Sequence, residues 1–401
     1  MKDRIEFIFE VEMKNTIKVA IIGSGGEWSA LPTVRELGKK SHKPYILFQN
    51  LHTPSAYSRY LSGKYRIPNE ISCKMLEEIV ELCEREKITH IICLNEEIKY
   101  FLIKNKKMLG DLRYAFPSIE SYEIAISKGK SSSFVKSLDI PVPDTIQIKS
   151  LDELEKLKFD FKKPIVVKGV RGVSSLHVRY AWDCHEVIKL YEEVYELERD
   201  ERLADSLPLI QEYVGGPTYL TQGLAQEGVV KIVVPHIKLR EWPISGGVTS
   251  RARTINEPKL IEYSKRIMEA LEWHGEFGLE WKYDEDKDDF YFLEINPRFE
   301  GSLDIAVKAG VNLPNLLLKI INGEKVPDNL KFRPNTEYRF FFRNDFKYFL
   351  ERPYGLWRLI WESINPKVHG EVTMDDIGVL RAFWKMPVRD FMAKYLKRIG
   401  G

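Results

Sequence analysis

The chain has no run of about 18 consecutive apolar residues, so its sequence offers no helix able to span a bilayer. Cysteine is scarce. The four present, Cys73, Cys83, Cys93 and Cys184, form no C-x-x-C pair and have no zinc-like spacing, which excludes a disulfide framework and leaves reduced thiols. Net charge is almost absent too: Lys+Arg 61 against Asp+Glu 59 gives +2, without the cationic excess of a dedicated nucleic-acid binder. The first residues are basic but interrupted by Glu and Asp, and they run straight into a strand, which is wrong for a signal peptide. A cytoplasmic protein is expected. The Gly-rich stretch GSGGEWSA does not complete G-x-G-x-x-G, and the next strand, Tyr45–Phe48, ends in Gln49 and Asn50 rather than in an acid. A dinucleotide site is therefore disfavoured, and the glycines are read as permitting a tight strand-to-helix turn.

What is present suits a folded protein of two or three domains, 401 residues long, with 44% hydrophobic and 30% charged residues. Residues 1–15 read as an extension. A buried strand at Ile17–Ile22, helical patterns at Ser29–Lys39 and Lys74–Glu86, and a strand at Ile88–Leu94 then make a βαβ domain. Its boundary falls near Pro117, where Ser118 suits a helix N-cap.

The chemistry concentrates in Glu276–Glu300, EFGLEWKYDEDKDDFYFLEINPRFE. Phe277–Tyr283 and Phe290–Asn296 are rich in aromatic and β-branched residues and flank an acidic run, the pattern of an antiparallel hairpin. With the turn centred near Lys287, Glu280 and Glu294 stand opposite one another on one face, Asn296 shares that face, and Arg298 lies close by. Two carboxylates and an amide oxygen are hard ligands suited to Mg²⁺, which completes its shell with waters and phosphates. Arg298 would stabilise charge on a transferring phosphoryl group. A solvated edge hairpin is the ordinary alternative. It fits poorly, because Glu294 sits among Phe292, Leu293 and Ile295, where an unpartnered carboxylate is costly.

LEINPRF resembles the final signature of the ATP-grasp enzymes. The resemblance implies that Glu280, Glu294 and Asn296 bind magnesium, with Mn²⁺ an admissible substitute, and that Arg298 contacts the reacting phosphate of ATP. Upstream, SKGKSSSFVKSLDIPVPD is similar to the family's first phosphate-binding motif: it maps Lys128 onto the phosphate-binding lysine, with Lys130 as fallback, and puts Ser127 where Asp is customary. The helix there is expected over about Ser131–Leu138, behind the two lysines. The strand Ile165–Lys168 precedes GVRGVSSLHVRY, which in isolation reads as a surface turn and beside the hairpin resembles the family's mobile lid. Lys168, Ser174 and Ser175 are then nucleotide contacts. LIQEYV resembles the segment that reads the adenine edge, implying roles for Gln211, Glu212 and Val214, with Thr218 in the place of the ribose-binding Glu.

Lys238, Arg240, Arg251 and Arg253 bracket a Pro and Gly turn. They suit a grip on an anion or a charged hairpin in water, and the residues alone do not separate the two. By resemblance the loop lies beside the substrate carboxylate and γ-phosphate, with Lys238, Arg240 and Arg251 as candidate catalytic residues.

The fold class implied is α/β (α+β ATP-grasp): a βαβ domain over 16–117, a two-lobed ATP-grasp domain over 118–330 with its lid lobe at about 140–210, and a helical carboxy-terminal region over 331–401. That last region is aromatic and basic, with an amphipathic helix at Leu356–Ile364, and is expected to pack on the core. The implied activity is an ATP- and Mg²⁺-dependent carboxylate–amine ligase of the carbamoyl-phosphate-synthetase-like or amino-acid-ligase type. Its partners would be small-molecule carboxylate and amine substrates, and a homodimer is left open. The rival is a nucleotide-binding regulatory or scaffold protein that has kept the fold without turnover.

Overall fold

The structure, a computed structural model, describes residues 16–148, 151–154, 156–157, 162–170, 177–200, 207–242, 247–328, 330–341, 345, 348, 361–362, 365, 368–371 and 373–383. Its first part is built on strands β1 (Lys18–Gly23), β2 (Lys43–Phe48), β3 (Gly63–Arg66) and β4 (His90–Cys93), all parallel and ordered β3-β2-β1-β4. Val19 to Ile22 are wholly buried, as befits a strand covered on both faces by helices. Those helices are α1 (Ala30–Lys39), α2 (Cys73–Glu86) and α3 (Glu96–Lys104), the last capped by Asn95, whose side chain accepts from the Ile98 N–H.

The second part joins α4 (Ile119–Ile126) and α5 (Lys128–Lys136) to a small lobe and a large sheet. The lobe is an antiparallel sheet of β5 (Thr145–Gln147), β6 (Ile165–Lys168), β7 (Val178–Ala181) and β8 (Leu209–Glu212), ordered β5-β8-β6-β7. Helix α6 (Cys184–Asp200) lays Val187, Tyr191 and Val194 on it. The large sheet is ordered β13-β12-β9-β10-β11-β14-β15. Its strands are β9 (Thr218–Gln226), β10 (Val229–Trp242), β11 (Val248–Thr254), β12 (Gly275–Asp284), β13 (Asp289–Asn296), β14 (Glu337–Arg339) and β15 (Val368–Gly370).

One face of this sheet packs on α4, α5 and α7 (Pro258–Ala270) through Tyr122, Val135, Tyr263, Trp281 and Phe292. The other face carries Leu224, Ile232 and Val234 into a core shared with α1, β2 and α9 (Leu313–Ile321). The first domain therefore sits directly on the sheet face opposite the α4, α5 and α7 layer. Helix α8 (Leu303–Lys308) packs on that same face, where Ile305 meets Ala252 and Tyr338.

Two expectations change. Helix α5 begins at Lys128, not near Ser131, because the Ser127 hydroxyl accepts from the Lys130 N–H and caps the helix there. Lys128 and Lys130 thus lie inside the first turn. The region after residue 331 is not simply helical either: Tyr338 pairs with Ala252 and extends the sheet by β14, and β15 adds to β14 in parallel. Most of the helix expected at 356–364 lies outside the described residues, although Trp361 and Glu362 are helical.

Residues 377–383 form a helix whose Val379 and Phe383 bury against Leu31 and Trp28 of the first domain. Ahead of it Asp376, with no exposed surface, accepts from the Ser58 hydroxyl at 2.8 Å and the Arg59 N–H at 2.9 Å, and pairs with Arg35 at 2.8 Å. The carboxy-terminal segment is thus a strap from the edge of the large sheet to α1. Removing one partner of a buried pair leaves the other charge uncompensated, so Asp376→Ala is expected to cost about 3–5 kcal/mol in a urea unfolding curve. A loss under about 1 kcal/mol would show that the strap bears no load.

Candidate nucleotide and metal site

The geometry of the site starts at a register break. Pairing along the hairpin runs from Asp284↔Asp289 to Trp281↔Phe292, skips Leu293, and resumes at Glu280↔Glu294 and Gly278↔Asn296. Leu293 is the extra residue of a β-bulge, which re-aims the side chains after it. Phe290, Phe292 and Ile295 all enter the core beneath α7, and the interval of three between the last two shows the change of face. Strict alternation from Phe292 would have driven Glu294 into that core. The bulge instead sets Glu294 beside Glu280 and Asn296 on the face toward the first domain. The turn also centres between Asp286 and Lys287, half a residue from the expected place, so the opposition of the two carboxylates holds because the bulge offsets the shift.

Lysines from three elements converge there. Lys128 of α5 comes within 3.5 Å of Glu294, and Lys238 of β10 within 2.8 Å of Glu280. Lys168, buried at the end of β6, adds a third positive charge. Burial acts to raise the Glu294 carboxyl, but Lys128, Lys168, Arg298 and Lys238 outweigh it and hold it below its ordinary range. For Lys238 the balance is the reverse in kind: burial lowers its amine, and Glu280 and Glu241 more than restore it. Lys168 is different. Burial and then the charge of Lys128 bring its amine down to about 7, against the opposing pull of Glu294 and Glu280.

Arg298 pairs through Nε with Glu96 of α3 at 2.8 Å, and its Nη2 donates to Asn296 Oδ1 at 3.3 Å. Asn296 in turn donates from Nδ2 to Glu300 at 2.8 Å. Glu300 is a residue the sequence reasoning passed over. Its carboxylate lies over Gly278, where a Cβ would stand 2.1 Å from Oε1, so only glycine leaves it room. Burial, partly opposed by Arg298, raises its carboxyl to about 7. Its signal was present in NPRFE, an acid two residues beyond the arginine.

The basic cluster on either side of residues 243–246 is divided. Lys238 pairs with Ala252 and Arg240 with Arg251, consecutive residues of β11, so Lys238 and Arg240 leave the sheet on opposite faces. Arg240 meets Glu362 at 2.7 Å and Asp345 at 3.0 Å, and Arg251 pairs with Glu337 and the same Glu362. Lys238 thus belongs with the carboxylates of the hairpin, whereas Arg240 and Arg251 already grip a carboxylate of the carboxy-terminal segment.

In β8 the Gln211 amide donates to the Thr145 hydroxyl at 2.7 Å, the Glu212 N–H donates to the Asp144 carbonyl at 2.8 Å, and Val214 is buried just beyond the strand. Thr218 is buried at the start of β9. Ser174 and Ser175 lie outside the described residues. The Gly-rich turn after β1 is filled from within: the Glu27 carboxylate accepts from the Ser24 N–H and hydroxyl at 2.9 and 2.7 Å, from the Gly25 N–H at 2.8 Å and from Asn95 at 3.0 Å. An internal anion occupies the position a phosphate would take.

Glu280, Glu294 and Asn296 present three hard oxygen donors from one face, two of them carboxylates, which fits Mg²⁺. Among the described residues no group of three or more His, Cys, Asp or Glu side chains is arranged to hold a metal ion. The donor set therefore suits an ion whose shell is completed by phosphate oxygens rather than by the chain alone.

A paired-carboxylate hairpin at the edge of a large sheet, facing three lysines and a small antiparallel lobe, is the arrangement of the ATP-grasp fold, which the chain shares with the solved structures named below. More narrowly, residues 206–341 match the family described as ATP-grasp in the biosynthetic pathway with Ter operon. The chain is 21% identical over 341 residues to the carbamoyl phosphate synthase large chain of Clostridium acetobutylicum, covering 80% of this chain and 30% of that one. It is 23% identical over 312 residues to the corresponding protein of Pyrococcus furiosus, covering 74% of this chain and 28% of that one. The chain thus spans under a third of the length of these curated relatives. Among solved structures, it resembles the L-amino acid ligase from Bacillus licheniformis with TM-score 0.65 at 17% identity, covering 80% of this chain and 79% of that one. It resembles the Campylobacter jejuni biotin carboxylase β,γ-ATP complex with TM-score 0.65 at 16% identity, covering 79% and 74%. These last likenesses show the fold.

The position of Lys168 yields a pH prediction. An amine held near 7 is mostly neutral at about pH 8, and a polyphosphate placed beside it favours the charged form, so binding should draw in a proton. Calorimetric titration of ATP at about pH 8, in buffers of different ionisation enthalpy, should register net proton uptake that Lys168→Met abolishes. Uptake that persists unchanged in the variant would assign it to another group.

Proposed function

We propose that the protein is an ATP- and Mg²⁺-dependent ligase that activates a substrate carboxylate as an acyl phosphate and joins it to an amine. The observation that carries this is the bulge-set opposition of Glu280 and Glu294 with Lys128, Lys168, Lys238 and Arg298 around it. Binding a nucleotide does not need two carboxylates at the end where the lysines meet. Transferring its terminal phosphoryl group does, because charge must be neutralised on several oxygens at once.

In this reading Lys128 and Lys168 meet the distal phosphates, and Val214 with the neighbouring β8 residues Gln211 and Glu212 lies against adenine. Glu280, Glu294 and Asn296 would hold Mg²⁺, which supplies charge neutralisation on the phosphate oxygens when bound. Arg298 faces the reacting phosphoryl group. A carboxylate oxygen of the substrate attacks the γ-phosphorus, the bond to the β–γ bridging oxygen breaks, and ADP departs. The amine nitrogen then attacks the acyl carbon, loses a proton, and phosphate leaves. An amino acid or comparable small metabolite is the proposed substrate class, which the likeness to an L-amino acid ligase supports. Lys238 stands on the hairpin's side of the sheet, paired with Glu280, and would share itself with an incoming anion, whereas Arg240 and Arg251 would have to exchange Glu362 for it.

The test is phosphate release from ATP against a panel of amino acids, with Glu294→Gln beside the parent protein. The variant should fold and lose turnover by roughly 100-fold or more. A parent that binds ATP yet releases no phosphate with any acid would favour the nucleotide-binding scaffold, a reading to which Ser127 and Thr218 lend some support. Arg251→Lys separates two roles for that residue. A raised KM for the carboxylate substrate at unchanged KM for ATP is expected if the arginine meets substrate. A lowered Tm with both constants unchanged would mark it as structural.

A further inference from the structure

The shortest ion pair of Arg298 is made to the first domain, not to the sheet that carries it. Glu96 and Lys99 lie three apart in α3 and therefore on one face. Lys99 is 1% exposed; its ammonium pairs with the buried Glu276 of β12 and donates to the Pro297 carbonyl at 2.8 Å. One turn earlier, Glu96 holds Arg298 Nε at 2.8 Å. The carbonyl before Arg298 and the near edge of its guanidinium are thus tied to the same helical face. What remains is the far edge, where Nη2 donates to Asn296 Oδ1 and Nη1 to the Phe299 carbonyl, both at 3.3 Å, and Nη1 lies 4.0 Å from Glu300.

A buried ion pair such as Lys99–Glu276 is a poor device for stability, since apolar residues of similar volume commonly do as well or better. Its worth lies in direction. An ammonium with three donors and a carboxylate with a fixed edge allow one docking position of α3 on the hairpin, where an apolar contact would tolerate sliding. The guanidinium is planar, so fixing Nε fixes the bearing of both Nη atoms.

We propose that Glu96 and Lys99 are positioning residues that aim Arg298 at the transferring phosphoryl group, so that phosphoryl transfer depends on the docking of α3 against the hairpin. This rests on the phosphoryl-transfer reading above. Neither residue touches substrate in this proposal; both act through Arg298, Glu96 on its Nε and Lys99 on the preceding carbonyl.

The experiment compares MgADP alone with MgADP plus aluminium fluoride, a mimic of the phosphoryl group in flight, by calorimetry on the full chain. If the parent gains no affinity from the fluoride, the phosphoryl-transfer reading fails and this proposal with it. If it does gain affinity, Glu96→Gln should keep its MgADP affinity within about twofold and lose roughly tenfold or more of the gain, the scale at which groups behind a ligating residue act. In an Arg298→Ala background Glu96→Gln should add nothing further, because its effect passes through that side chain. The pair Lys99→Met with Glu276→Gln, which leaves no uncompensated charge, should behave in the same way, with MgADP affinity kept and the gain reduced. Equal loss of MgADP and of the fluoride complex, or full additivity with Arg298→Ala, would overturn the proposal.

Discussion

The site depends on one constraint: two carboxylates brought face to face across a hairpin and paired with lysines from elsewhere in the chain. Neither half is stable without the other. Glu280 and Glu294 in direct opposition repel, and Lys128, Lys168 and Lys238 crowded around empty space would do the same. Together they form a lattice of alternating sign in which Glu280 and Glu294 each have a lysine partner before any ligand arrives. A polyphosphate with its metal ion would substitute a larger set of opposite charges into that lattice, and the more such a site is shielded from water the more that substitution is worth. Lys168 is the member least satisfied by the chain itself, and it lies on the small lobe, so that lobe has the most to gain electrostatically from a bound nucleotide.

Much of the centre was legible in the sequence because it is local. The alternation of Phe277–Tyr283 and Phe290–Asn296 and the acidic turn between them state the hairpin, and LEINPRF names the residues at its end. The bulge at Leu293 was not legible, since nothing in FLEIN distinguishes a continuous strand from one with an extra residue. The expectation reached the right pair through a turn centre half a residue off. Strands β1, β2 and β4 of the parallel sheet and β6 and β8 of the lobe rest on equally local cues, whereas β3, β5 and β7, of three or four residues each, were not read. Strand β14 escaped notice because three residues, Glu337 to Arg339, are too short for a period to show.

What sequence reasoning missed most is what topology assembles. Glu96, Lys99 and Glu276 carry no motif, and their meeting depends on how α3 lands on β12 across 177 positions of chain. The same holds for the basic cluster. Lys238, Arg240 and Arg251 look alike in sequence, and only the register breaks flanking Arg240 and the carboxylates of Glu337, Asp345 and Glu362 part them into two groups. Glu27 is the converse: the glycines were read as permitting a tight turn rather than a dinucleotide site, and the acid two residues beyond Gly25 fills that turn.

The strap from β14 to the helix at 377–383 bears on how the molecule admits its ligands. A segment fastened to the large sheet at one end and, through Asp376, to Arg35 and Ser58 at the other makes those two bodies a closed mechanical loop. Swinging the first domain off the sheet would require breaking a buried ion pair as well as the Lys99–Glu276 contact, a barrier poorly matched to repeated cycling. The β5–β8 lobe hangs instead between the chain leading into Thr145 and the chain leaving Glu212, outside that loop. Breathing motions should therefore be channelled into the lobe, with the platform that bears Glu280, Glu294 and Arg298 staying rigid beneath it.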